Sequence, residues 1–218
     1  MTHDPSPSLI EQDGVIAVVR LDDLSKAAPL TEALVAGGVR AVEFTFTNPT
    51  AGEAIAAADA ALGPRALIGA GSVLDAETAR VAMLAGARFV VTPTVSAATI
   101  ELCNRYGVAT TIGALTPTEI LTAWQAGATY VKVFPASLGG PRYLRDVLGP
   151  LPQVKLIPTG GVDADNAGEF IRAGAVAVAL GSNLVDGRSV ATDDWETVTA
   201  RAQAIVDAVV RARRPATA

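Results

Sequence analysis

ATTIGALTPTEILTAWQAGATYVKVF, residues 109–134, holds one complete strand–helix–strand unit. ATTIG (109–113) is a short, β-branched apolar run bounded by glycine, which reads as a strand. The stretch 117–127 is amphipathic and reads as a helix, stopped by the glycine of QAGA (125–128). YVKVF (130–134) is a second apolar run, ended by Pro135. Two strands joined through a helix in this way run parallel.

The unit recurs along the chain. VIAVV (15–19), AVEFTF (41–46), ALIGA (66–70), RFVVT (88–92), KLIPT (155–159) and AVALG (177–181) complete a set of eight strand candidates. Helical candidates alternate with them, at 23–37, 50–62, 75–86, 96–106, 141–149, 163–173 and 193–211. Glycine stops echo one another at AGG (36–38), LAGA (84–87) and RAGA (172–175). Eight βα units in this order predict an α/β protein of the (β/α)8 TIM-barrel type, folded as a single domain. A doubly wound open sheet is the competing architecture, and no GxGxxG fingerprint supports it. The expected boundaries are a flexible N-terminal segment over 1–14 and the barrel over 15–218.

Composition narrows the function. The chain has 218 residues, half of them hydrophobic, enough for one large core. Its net charge is −5 and it has no basic run, which argues against nucleic acid and against an anionic membrane surface. No apolar run reaches the roughly 18 residues a membrane span needs. MTHDPSPSLIEQDG has neither the basic nor the apolar region of a signal peptide. A cytoplasmic protein is therefore expected. The one cysteine, Cys103, reads as a core residue of a helix, and the one histidine, His3, lies in the N-terminal segment. Triads, histidine bases and His- or Cys-rich metal sites are thereby removed.

Lys132 is one of three lysines and stands in the middle of an apolar strand. Burying an ammonium costs several kcal/mol unless its pKa falls or a partner compensates. A neutral amine in a dry pocket is the nucleophile of Schiff-base chemistry. The plainer alternative is a lysine that snorkels out from a strand end.

Alternation along the strands brings company to that lysine. In AVEFTFT, Val42, Phe44 and Phe46 share the face that packs on helices, so Glu43, Thr45 and Thr47 point inward. Ile16, Val18 and Arg20 share one face of the first strand. Glu43, Arg20 and Lys132 can then converge at the C-terminal ends of the strands, where barrel active sites lie. A buried salt-bridge network is the structural alternative, and such networks add little stability. Lys155, at a strand start, and Lys26, on a helix, read as solvated.

IPTGGVDADN (157–166) and ALGSNL (179–184) end the last two strands with glycines before a helix, a pattern suited to holding phosphate. GAGS (69–72) and TPT (92–94) read alone as tight turns.

Taken together, AVVR, VEFTFTNP, IGAGSVL, VTPT, YVKVFPAS, GPRYL, IPTGGV and LGSNLV resemble the family of 2-keto-3-deoxy-6-phosphogluconate (KDPG) aldolases, which includes 4-hydroxy-2-oxoglutarate (KHG) aldolase. The resemblance runs from about residue 15 to residue 185. It implies class I aldolase chemistry without metal or other cofactor, on a phosphorylated keto acid, in a homotrimer. Lys132 matches the Schiff-base lysine and Glu43 the general acid/base. Arg20 and Ser72 would hold the substrate carboxylate, Pro93 and Phe134 would wall the pocket, and Gly160, Gly161 and Ser182 would take the phosphate. Thr47 stands where several members have an arginine carboxylate clamp, which a threonine cannot replace. Thr159 points to the gluconate epimer, although VTPT and GPRYL look like the galactonate branch. Cleavage of the galactonate epimer or of 4-hydroxy-2-oxoglutarate is the alternative. More distant rivals are a phosphosugar epimerase or isomerase and a barrel that only binds.

Overall fold

The computed structural model describes residues 6–214. Eight parallel strands run β1 (Val15–Val19), β2 (Ala41–Thr45), β3 (Leu67–Gly71), β4 (Phe89–Val91), β5 (Ala109–Ala114), β6 (Tyr130–Val133), β7 (Leu156–Pro158) and β8 (Val178–Leu180). The helices are α1 (Ser6–Asp13), α2 (Ala27–Ala36), α3 (Ala51–Leu62), α4 (Ala76–Leu84), α5 (Ala97–Tyr106), α6 (Pro117–Gln125), α7 (Gly140–Leu148), α8 (Ala167–Arg172), α9 (Gly187–Ala191) and α10 (Trp195–Arg213). Neighbouring strands follow the order β7-β6-β5-β4-β3-β2-β1-β8. The seam between β7 and β8 is joined by a Thr159–Ala179 bridge and by the Val176 N–H donating to the Leu156 carbonyl at 3.1 Å. The barrel architecture expected from the repeat is the observed one.

Alternation splits the strand residues into two cores. Ile16, Val18, Leu67, Phe89, Val91 and Ile157 fill the barrel interior. Val42, Phe44, Ile68, Val131 and Val133 face the helices. A strand buried on both faces has no polar side, so its sequence reads as an apolar run rather than an alternating one.

Of the N-terminal segment expected to be flexible over 1–14, residues 1–5 lie outside the described residues, and the described part is ordered into a helix. Residues 6–13 form α1, and Ile10 is fully buried in the interior core beside Ile16 and Tyr130, plugging the N-terminal end of the barrel. Glu11 accepts from the Tyr130 hydroxyl at 3.0 Å and from the Lys155 ammonium at 2.7 Å, so Lys155 is paired rather than merely solvated. Arg213 donates to the carbonyls of Gln12 at 2.7 Å and Glu11 at 2.8 Å. So short a helix owes its stability to these contacts, which leave little trace in local sequence. Lys26 is likewise engaged, with Asp193 at 2.8 Å and the carbonyls of Val190 and Ala191. Among the described residues, no helix is long and apolar enough to cross a membrane.

Candidate active site

Lys132 sits in the middle of β6, directly opposite Gly113 of β5. It is 4% exposed, and its Nζ lies 4.9 Å from the centre of the Phe134 ring. Glu43 of β2 pairs in register with Val18 on one side and Gly69 on the other. It is 1% exposed, and neither carboxylate oxygen has a hydrogen-bond partner among the described residues.

Burial governs both groups. It pushes the Lys132 amine below its ordinary 10.5; the Glu43 carboxylate opposes this and the Arg20 guanidinium adds to it. Burial pushes Glu43 above its ordinary 4.5, with Lys132 and Arg20 pulling it back. The net direction for each is toward neutrality. That suits an amine meant to attack a carbonyl and a carboxyl meant to carry a proton.

Lys132, Arg20, Phe134 and Thr159 line a cavity of about 240 Å³ at the C-terminal ends of the strands. Gly160, Gly161 and Ser182 form its other wall, from the loops after β7 and β8. Gly160 and Gly161 have φ of +88° and +78°, backbone that favours glycine. The Thr159 hydroxyl oxygen is buried at this cavity without a partner among the described residues. A larger groove, about 800 Å³, runs between α2 and α10, but none of the expected site residues lines it.

Four expected residues stand outside the cavity lining: Glu43, buried in the barrel interior, and Ser72, Pro93 and Thr47. Ser72 accepts from Arg20 at a long 3.4 Å and holds a left-handed φ of +55°, rare for a residue with a Cβ. A strained backbone of this kind marks functional turns more often than plain ones. Pro93 is half-buried, and its backbone covers Gly113 so closely that a Cβ there would come within 2.2 Å of it. Thr47 is exposed, and its Oγ1 lies 2.9 Å from that of Thr45.

Sequence reasoning passed over residues that shape the site without reacting. Asn183 donates to the Val162 carbonyl at 2.8 Å and Asn166 to the Gly161 carbonyl at 2.8 Å, pinning the two glycine loops. Asn48 donates to the Leu21 carbonyl at 3.0 Å and the Asp22 carbonyl at 2.9 Å, tying the loop after β2 to the loop after β1. Thr111 faces inward one layer below Gly113, its hydroxyl buried and without a partner among the described residues. Strand alternation could have found Thr111; the loop asparagines carry no such signal.

A family model described as KDPG and KHG aldolase matches residues 7–201. The chain belongs to that family. It is 38% identical over 195 residues to the 2-dehydro-3-deoxy-phosphogluconate aldolase of Treponema pallidum, covering 89% of this chain and 92% of that one. It is 34% identical to the 2-dehydro-3-deoxy-6-phosphogalactonate aldolase of Escherichia coli, covering 78% and 83%. Among solved structures, it superposes on the KDPG aldolase of Legionella pneumophila with a TM-score of 0.85 at 29% identity, covering 91% of this chain and 97% of that one. That crystal structure holds pyruvate as a covalent carbinolamine captured at low pH. The KDPG and KHG aldolase resemblance read from the sequence motifs is thus the chain's true membership.

Proposed function

We propose that the protein is a class I aldolase that cleaves 2-keto-3-deoxy-6-phosphogluconate to pyruvate and glyceraldehyde 3-phosphate. The observation that carries this is the buried Lys132 amine, displaced toward neutrality in the same barrel interior as a buried Glu43 that has no hydrogen-bond partner among the described residues.

Lys132 attacks carbon 2 of the keto acid, and loss of water from the carbinolamine leaves an iminium. Glu43, acting through a bound water, takes the proton of the carbon-4 hydroxyl as the bond between carbons 3 and 4 breaks. The bond's electrons pass into the iminium, giving an enamine on Lys132 and free aldehyde. The enamine is protonated at carbon 3, and hydrolysis releases pyruvate and restores the amine. A single carboxyl can accept and return the proton, so no histidine is needed. Arg20 and Ser72 hold the substrate carboxylate in place of the clamp that Thr47 cannot supply. Phe134 and Pro93 exclude water. The backbone around Gly160 and Gly161, with Ser182, receives the phosphate. No metal or organic cofactor enters this scheme.

The Thr159 hydroxyl at the cavity favours the gluconate epimer, and the Escherichia coli relative keeps the galactonate epimer as the second reading. A phosphorylated substrate, too charged to leave a cell, supports a cytoplasmic location. A homotrimer is supported by Leu74, Val81 and Leu84, a large apolar stripe on α4 and the loop before it, exposed at 66%, 55% and 72%.

The test is pyruvate release from each phosphorylated epimer and from 4-hydroxy-2-oxoglutarate. The largest kcat/KM is expected for the gluconate epimer. No release from any of the three would remove the proposed reaction.

A further inference from the structure

Three inward-facing glycines surround the two central residues, and they differ in what fills the space of the missing side chain. At Gly69 a Cβ would lie 2.3 Å from the Phe89 ring, and at Gly113 it would lie 2.2 Å from the Pro93 backbone. The Phe89 ring is fixed in the core and the neighbour at Gly113 is backbone, so neither can give way and these glycines serve packing. At Gly71 the Cβ would lie 2.6 Å from Glu43 Oε1 and 2.9 Å from its Cδ. Here the nearest neighbour is the far end of a side chain, the carboxylate itself, with Thr45 Cγ2 next at 3.2 Å. Gly71 ends β3, paired with Thr45, and its φ is not left-handed, so alanine fits its backbone.

We infer that Gly71 is a positioning residue: its bare Cα provides the recess in which the Glu43 carboxylate rests against β3. The inference rests on the proposed role of Glu43 and goes beyond it by naming what fixes that carboxylate. Neither carboxylate oxygen is held by a hydrogen bond among the described residues, so the shape of the recess acts beside the charges of Lys132 and Arg20 in setting its place. Gly71→Ala would displace the carboxylate while leaving Lys132, which supplies none of the three atoms nearest the added Cβ, able to form its imine. Displacing a reacting group by about 1 Å costs up to roughly 10²-fold in rate.

The test is a kinetic double-mutant cycle of Gly71→Ala and Glu43→Gln, with borohydride trapping of pyruvate and a melting curve on each variant. Gly71→Ala is expected to lower kcat roughly 10- to 100-fold, with KM, pyruvate trapping and melting temperature near wild type. In the Glu43→Gln background it is expected to cost nothing further, since a residue acting only through Glu43 has nothing left to act on. Wild-type kcat for Gly71→Ala beside a slow Glu43→Gln would overturn the inference, as would two effects that multiply. An unimpaired Glu43→Gln would instead remove the role of Glu43 itself. If Gly71→Ala does not fold, Glu43→Ala/Gly71→Ala must, because it empties the recess; a double variant that also fails to fold would overturn the inference.

Discussion

Lys132 and Glu43 are buried in the same barrel interior, 4% and 1% exposed, and burial drives each toward its neutral form. The sign of the pH dependence follows from that. Between the depressed pKa of Lys132 and its ordinary 10.5, the unfolded chain binds the extra proton, so stability rises with pH. Between the ordinary 4.5 of Glu43 and its raised value, the folded protein binds the extra proton, so stability falls as pH rises. At neutral pH each group still bears a desolvation cost.

Replacing both groups at once should relieve that cost. Lys132→Met/Glu43→Gln is expected to be inactive yet as stable as wild type at pH 7, or more stable by about 1–4 kcal/mol. For a chain of this size each kcal/mol is worth roughly 2–4 °C. The advantage should shrink toward pH 10.5 and toward pH 4.5. Calorimetry across that range checks it; a double variant several degrees less stable at pH 7 would mean the pair stabilises the fold.

Glu43→Gln alone should separate the two halves of the chemistry. Imine formation with pyruvate should persist, while carbon–carbon cleavage slows by roughly 10²–10⁴-fold. Single-turnover kinetics reads both steps, and normal cleavage would take the proton-transfer role from Glu43.

The phosphate end can be probed without touching the lysine. A Cβ on Gly161 would lie 2.7 Å from the Cβ of Ser137, at a φ of +78° that disfavours any side chain. Gly161→Ala should raise KM for phosphorylated substrate about tenfold or more, roughly the cost of one lost charge-assisted contact, and leave pyruvate trapping unchanged. Equal loss in both assays would point to general damage instead.

Among the described residues, no group of three or more His, Cys, Asp or Glu side chains is placed to hold a metal ion. Turnover in excess EDTA should therefore equal turnover without it. Activity lost to EDTA and restored by a divalent metal would require class II chemistry.

Much of this architecture is legible in the chain. β-branched runs and glycine stops carry the barrel, because each βα unit repeats the same local signals. Strand alternation places Glu43 and Lys132 inside and Val42 and Phe44 outside, as the two cores show. Beyond the strand end the rule weakens: Thr47, two residues past β2, is exposed and does not line the cavity, although its Oγ1 still lies 2.9 Å from that of inward-facing Thr45. The plug helix α1 escapes notice because its partners Tyr130 and Lys155 are more than a hundred residues away. GAGS reads as a turn, whereas Gly69 and Gly71 belong to β3 and only Ser72 turns. A recess made by a missing side chain leaves no chemical mark until its neighbour is known.

The central claim is that the Lys132 amine is the nucleophile. Incubation with pyruvate and borohydride, followed by peptide mapping, tests it most directly. A reduced pyruvyl adduct on the peptide carrying Lys132, absent from Lys132→Met, is the predicted result. Folded protein that gains no adduct in excess pyruvate, or gains it on Lys26 or Lys155, would contradict the account.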